Sequence, residues 1–330
     1  MPADLKLIQA YLENAQAVLP DNQSEHARFL LAAAQELLGP HLSHPAQAQY
    51  PMQLHRGIGL DRGKKRGASP NEDCVFATQG HTADGTLFGI FLVTDGAGGQ
   101  ILGQEAARLA LRTCVDYLFP RLHNGRGLHG AALQSLLLAG VQEANRAVFL
   151  QNEAKVVLGG RMCTTITAMV IVGAEACVAN VGDSRTYHYH PATGLTQITR
   201  DHSLVADLVR SKGIARDDMR THPQRNVINR GLGKQVEEEI DIFSGPVHID
   251  DLFLLCSDGL WEMVPDARIK EILSQALCPA STMSEQLVAD ALASGGLDNI
   301  AALVVQVRGI DVAGEQTIVA PAYTLAPLPS

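Results

Sequence analysis

The chain reads as an α+β protein, with antiparallel β-sheets covered by helices on their outer faces and a helical hairpin ahead of them. Short apolar runs rich in β-branched residues recur from about residue 55 onward. Several follow one another with no helix between, which favours antiparallel pairing. Longer stripes of helical period lie between the others, while the first forty residues carry two such stripes and no strand-like run. With 330 residues, 46% of them hydrophobic and 18% charged, the chain can bury a large core.

The elements follow in order. Leu5, Ile8, Tyr11, Leu12, Ala15, Val18 and Leu19 fall on one helical face, and Ala27, Leu30, Leu31, Ala34, Leu37 and Leu38 repeat the pattern. Pro20-Asp21-Asn22 separates the two stripes and Ser24 suits an N-cap, so the pair is expected as a hairpin that covers apolar surface or recruits a partner. A polar, proline-containing stretch from His41 to Pro51 links it to the rest. Strands are expected over Leu87 to Thr94, Thr164 to Val172, Ala176 to Val181, Leu252 to Cys256 and Ile300 to Val307. Helices are expected around Ala106 to Leu118 and near 131–152, 265–277 and 284–294. The tail after Gly309 is proline-rich and aperiodic, which predicts an extended, mobile segment. The division is therefore 1–50 for the hairpin and linker, 51–309 for the main domain and 310–330 for the tail.

A formal charge of -9 argues against partners that attract clustered positive charge, namely nucleic acid backbones and anionic membranes. The N-terminus mixes acids into its apolar positions and lacks the pattern of a signal peptide, and no apolar run approaches a bilayer span, so a cytoplasmic protein is expected. Six scattered cysteines without a C-x-x-C pair read as buried free thiols.

Aspartates recur where a strand gives way to a tight turn: Asp95 before Gly96, Asp183 after Gly182, Asp258 before Gly259, and Asp298 after Gly295-Gly296-Leu297. One such residue is an ordinary turn former, whose carboxylate accepts nearby backbone N–H groups. Four in one domain, each beside a run that should be buried, repel one another unless a cation neutralises them. Oxygen ligands alone favour Mg²⁺ or Mn²⁺ over zinc. His188 and His190 alternate along a strand and are expected to be exposed rather than ligating. Two hard cations sharing a carboxylate and a water suit phosphate ester hydrolysis.

The ordered motifs resemble the type 2C, or PPM, metal-dependent protein serine/threonine phosphatases from about Gly59 to Val307. They are Arg66 with Asn71-Glu72-Asp73, Thr94-Asp95-Gly96, Thr164-Thr165, Gly182-Asp183-Ser184-Arg185, Thr199-Arg200-Asp201-His202-Ser203, His222-Pro223-Gln224-Arg225-Asn226, Ser257-Asp258-Gly259 and Leu297-Asp298-Asn299. The resemblance implies a four-layer α-β-β-α sandwich with a metal centre at one edge, and hydrolysis of phosphoserine and phosphothreonine by a water between two divalent cations. It implies that Asp95 bridges the metals, that the Gly96 carbonyl binds one, and that Asp258 and Asp298 hold the other. Glu72 and Asp73 act through metal-bound water, Asp183 with Asp258 marks a third, weaker cation site, and Arg66 clamps the substrate phosphate. The segment from Leu204 to Asn226 corresponds to a mobile flap. Phosphorylated proteins, together with the serine/threonine kinase that modifies them, are the implied partners.

Gly67-Ala68-Ser69-Pro70 lengthens the spacing after Arg66, which leaves Arg62, Lys64 and Lys65 as alternatives for the clamp. Ala97 stands where many eukaryotic relatives carry a histidine proposed as general acid. Arg185 and Asn299 are expected to orient the ligand loops. A cysteine-dependent phosphatase is disfavoured, because none of the six cysteines has an arginine six positions later. A catalytically silent module of the same fold, binding phosphorylated partners, is the remaining alternative.

Overall fold

A computed structural model describes residues 3–18, 52–67, 69–97, 101–155, 161–309 and 324–325. Five strands form one sheet in the order β1 (Met52–Asp61), β11 (Ile300–Gly309), β10 (Leu252–Cys256), β7 (Arg185–His190), β8 (Gly194–Gln197). The second runs β12 (Thr324–Leu325), β9 (Asp241–Pro246), β6 (Glu175–Val181), β5 (Ile166–Val172), β3 (Leu87–Ala97), β2 (Asp73–His81), with the short β4 (Cys163–Thr164) on the end of β3. Every pairing is antiparallel. Among the described residues no helix is long and apolar enough to cross a membrane.

Side chains alternate across a strand, so a strand covered on both faces must bury both sets, either as apolar groups or as paired polar ones. In β11, Leu303 and Val305 enter a core between the two sheets, while Ala302 and Val304 enter a second core under the helices. In β3, Phe91 and Val93 face the inter-sheet core, whereas Ile90 and Leu92 face the helices of the opposite layer. Those helices are α1 (Ala3–Val18), α2 (Ile101–Asn124) and α3 (Ala131–Lys155). The five-stranded sheet is covered by α5 (Asp258–Trp261), α6 (Asp266–Leu273) and α7 (Ala280–Ala293), with Trp261, Ile269 and Leu287 fully buried. Three stacked cores thus separate four layers, helix, sheet, sheet, helix, as expected. The remaining helix, α4 (Leu204–Arg210), lies in the expected flap with a 3₁₀ turn at Arg216–Thr221.

The first stripe of the expected hairpin is α1, which covers apolar surface: Leu7, Ala10, Tyr11 and Ala15 are buried against the main core. Its Asn14 serves the open edge of β2. The side-chain amide donates to the Ala77 carbonyl at 2.6 Å and accepts from the Ala77 N–H at 2.8 Å, so the edge strand finds a partner without another strand. The second stripe, the linker and all of the tail except Thr324–Leu325 lie outside the described residues.

Two expectations change. His188 and His190 are buried, not exposed, because β7 lies inside a sheet covered on both faces. His188 Nε2 pairs with Asp251 Oδ1 at 2.7 Å, and its ring packs on Phe253. Thr164-Thr165 does not run straight into the core strand: Thr164 pairs with Gly96 in β4, and Thr165 lies between β4 and β5.

Candidate active site

The aspartates converge because the strands bearing them end on one edge of the sandwich. Asp73 begins β2 opposite Asp95 at the end of β3. Asp258 follows β10 as the first residue of α5, Asp183 lies in the turn between β6 and β7, and Asp298 precedes β11. A cleft of about 240 Å³ opens there, lined by Arg66, Glu72, Asp95, Gly96, Asp183, Asp258 and Asp298. Asp73 lies beneath that wall, where Ser257 Oγ donates to its Oδ2 at 2.6 Å.

Backbone contacts fix these positions independently of the carboxylates. Thr165 holds the Asp95 segment twice, its N–H donating to the Asp95 carbonyl at 2.8 Å and its Oγ1 accepting from the Asp95 N–H at 3.1 Å. Asn299 orients two loops at once, accepting from the Glu72 N–H at 2.8 Å and donating to the Arg62 carbonyl at 2.9 Å. Gly96 packs so closely on Gly103 that a methyl group there would come within 2.0 Å of the Gly103 carbonyl oxygen. Arg185 is buried, paired with Asp201 and stacked 3.5 Å from the Trp261 ring, whose Nε1–H donates to the Asp183 carbonyl at 2.9 Å. Asn299 thus ties together the Glu72 and Arg62 loops, and Arg185 supports the Trp261 ring that holds the Asp183 backbone.

Burial followed by mutual repulsion dominates the electrostatics. Asp95 is raised well above the ordinary carboxylate range by burial, then by Asp73, Asp258, Asp298 and Asp183. Asp258 is raised likewise by burial, then by Asp183, Asp298 and Glu262. Burial lifts Asp73, Asp183 and Glu72 each to about 7. Arg66 is the cation within this group. Its Nε donates to Asp298 Oδ1 at 2.6 Å and its Nη1 to Glu72 Oε2 at 3.2 Å, and although burial alone would lower it, Asp298 holds it raised. Of the four cations considered for the clamp, Arg66 alone lines the cleft.

Glu72 Oε1, Asp73 Oδ1, Asp258 Oδ1 and Glu262 Oε1 are buried with no hydrogen-bond partner. A buried, unpartnered carboxylate oxygen is costly; Glu72 and Asp258 line the cleft, Asp73 lies beneath it and Glu262 follows Asp258 by one helical turn, and oxygen donors of this kind suit hard divalent cations. Among the described residues no three acidic, histidine or cysteine side chains already close on a common point. The carboxylates are spread around the cleft and do not form a tight cage.

Sequence reasoning missed Glu262, a buried residue paired with Arg225 of the flap at 2.9 Å. The signal was its spacing, four residues after Asp258, which brings two carboxylates to one side of a helical turn. Ser257 and Thr165 also escaped notice as partners of Asp73 and Asp95. The C-terminal end of the expected flap reaches the site, since Asn226 forms part of the cleft wall, followed by Ile228 just beyond the flap.

Known proteins share both the sequence and this architecture. Residues 62–293 match the family described as "Protein phosphatase 2C". The serine/threonine phosphatase stp of Listeria monocytogenes serotype 4b is 34% identical over 256 residues, spanning 77% of this chain and 96% of its own. The crystal structure of the Mycobacterium tuberculosis serine/threonine phosphatase PstP/Ppp superposes with a TM-score of 0.64 at 32% identity, over 77% of this chain and 98% of that one. The catalytic domain of PstP solved with two manganese ions gives 0.64 at 30% identity, over 78% and 99% of the two chains. A match through most of both chains, with the motif residues brought to one acidic cleft, places this protein in the protein phosphatase 2C family of protein serine/threonine phosphatases.

Proposed function

We propose that the cleft holds two divalent cations, Mn²⁺ or Mg²⁺, and hydrolyses phosphoserine and phosphothreonine in proteins. The observation that carries this reading is the group of unpartnered carboxylate oxygens on Glu72, Asp73, Asp258 and Glu262. Asp95 would be shared between the two ions, the Gly96 carbonyl would serve one, and Asp258 with Asp298 the other. Glu72 and Asp73 would act through intervening water, and Asp183 with Asp258 would hold a third, weaker ion, to which Glu262 is close enough to contribute charge. When bound, such ions supply an activated water and neutralise charge on the phosphoryl oxygens.

The chain's own residues do the rest. Arg66 points its fork into the cleft and binds the substrate phosphate, exchanging one set of oxygen acceptors for another. Asn226, at the end of the flap, and Ile228 just after it form one side of the opening. Ala97 lines the cleft but carries no acid, so no side chain at that position protonates the leaving oxygen. The substrates are phosphorylated proteins and the opposing activity is a serine/threonine kinase. Removing a phosphate takes away nearly two charges and resets the switch it had set. The cytoplasm suits this role, and the six unpaired cysteines fit a reducing compartment.

Hydrolysis of a phosphothreonine peptide in Mn²⁺, Mg²⁺ and EDTA tests the proposal. Turnover should require the metal, and equal turnover in EDTA would refute it. Arg66→Ala should raise KM for the peptide by about tenfold or more, as expected for one charge-assisted bidentate contact, with a smaller change in kcat. An unchanged KM would assign the phosphate contact to another residue.

A further inference from the structure

Arg62, Lys64 and Lys65 are not absorbed by the metal centre. In a chain of net charge -9, most arginines near this edge are spoken for: Arg225 by Glu262, Arg230 by Asp241, Arg220 by Asp266 and Arg66 by Asp298. Among the described residues the side chains of Arg62, Lys64 and Lys65 have neither an ion pair nor a hydrogen bond, and both lysines are exposed. The nearby acids are already engaged, Asp61 by the Gly63 N–H at 2.7 Å and Asp298 and Glu72 by Arg66.

These cations stand on a fixed loop. The Lys65 N–H donates to the Gly296 carbonyl at 3.0 Å, and the Arg62 carbonyl accepts from Asn299 Nδ2 at 2.9 Å. Gly63, at φ 72°, lies so close to the Asp298 backbone that a methyl group there would sit 1.9 Å from its carbonyl oxygen. The loop bearing the free cations is thereby locked to the loop bearing Asp298, with Arg66 reaching from it into the cleft. Because the backbone carrying these charges is already fixed against the Asp298 loop, binding through them orders side chains only and no loop.

We propose that Arg62, Lys64 and Lys65 form a specificity ledge that binds acidic side chains flanking the phosphorylated residue. The preferred substrate is then a phosphoserine or phosphothreonine segment with aspartate or glutamate within a few residues. This rests on the phosphatase reading above and narrows its substrate class. Each exposed ion pair contributes little, but two or three together give about a tenfold preference, weakened by salt.

Two phosphothreonine peptides that differ only in flanking Asp against Asn provide the test. Both kcat/KM and equilibrium binding, the latter by fluorescence anisotropy, are measured with the full-length, Mn²⁺-loaded protein at low and high salt. The acidic peptide should be preferred about tenfold at low salt, and the preference should shrink at high salt. In the doubly substituted K64E/K65E protein it should vanish or invert, and in K64A/K65A it should shrink. Equal handling of the two peptides by the parent protein, or a preference that survives both variants, overturns the ledge. If neither peptide is hydrolysed, the phosphatase reading fails, while the binding ratio still decides whether the ledge reads acidic flanks.

Discussion

Asp95→Asn is expected to lower kcat on a phosphothreonine peptide by more than ~100-fold, because losing a residue that merely supports a metal ligand already costs about 10–100-fold. Folding should survive. The contacts that fix residue 95 run through its backbone, to the Thr165 N–H and Oγ1 and to Thr164 Oγ1 at 2.9 Å, and an amide has nearly the shape of a carboxylate. Without metal the variant should be at least as stable as the parent at pH 7.5, since the charge removed is the one that Asp73, Asp258, Asp298 and Asp183 all oppose. With Mn²⁺ the order should reverse, because only the parent gains from binding the ion. Asp258→Asn should behave in the same way, its carboxylate being raised by burial and by Asp183, Asp298 and Glu262. Steady-state kinetics and melting curves in EDTA and in Mn²⁺ measure all of this, and full activity in either variant would defeat the two-metal assignment.

How far this site could be read from the sequence depended on what each residue packs against. Strands buried on both faces announce themselves as unbroken apolar runs, and Leu252–Cys256 was bounded to the residue. β1, β2 and β9 were not. β1 and β2 are edge strands and β9 pairs with β6 on one side but has only the two-residue β12 on the other, so they carry histidine, glutamine, serine and several glycines. Asp95, Asp183, Asp258 and Asp298 were legible because an acid at the end of a buried run is chemically costly and recurred four times. Glu262 was hidden, because its role comes from a turn of helix and from Arg225, thirty-seven positions away. The burial of His188 was hidden for the same reason, as its partner Asp251 lies on another strand connection. Arg66 was named as a clamp from its motif, but its engagement with Asp298, 232 positions away, could be seen only in three dimensions.

Metal-free protein should lose stability as the pH rises, and metal should abolish that loss. Asp73, Asp183 and Glu72 each titrate at about 7 in the folded chain, against ordinary values of 3.8 for Asp and 4.5 for Glu. Between those limits the folded state holds protons that the unfolded state has released, so stability falls as the pH rises from about 4 to 7. The full penalty applies above 7. One aspartate raised from 3.8 to about 7 costs on the order of 4 kcal/mol, and because these groups act on one another their penalties do not simply add. A divalent cation binds the ionised carboxylates, so it must displace their protons and bind more tightly as the pH rises. Melting in EDTA from pH 5 to 8 should therefore show a midpoint falling by several degrees, while melting in saturating Mn²⁺ should show a flat or rising one. Titration calorimetry of Mn²⁺ in two buffers of different ionisation heat should detect proton release near pH 6.5. A metal-free midpoint that climbs between pH 5 and 7 would mean that the carboxylates are already ionised and paired within the protein. Arg66 would then be the cation that satisfies them, and the cleft would bind metal with little dependence on pH.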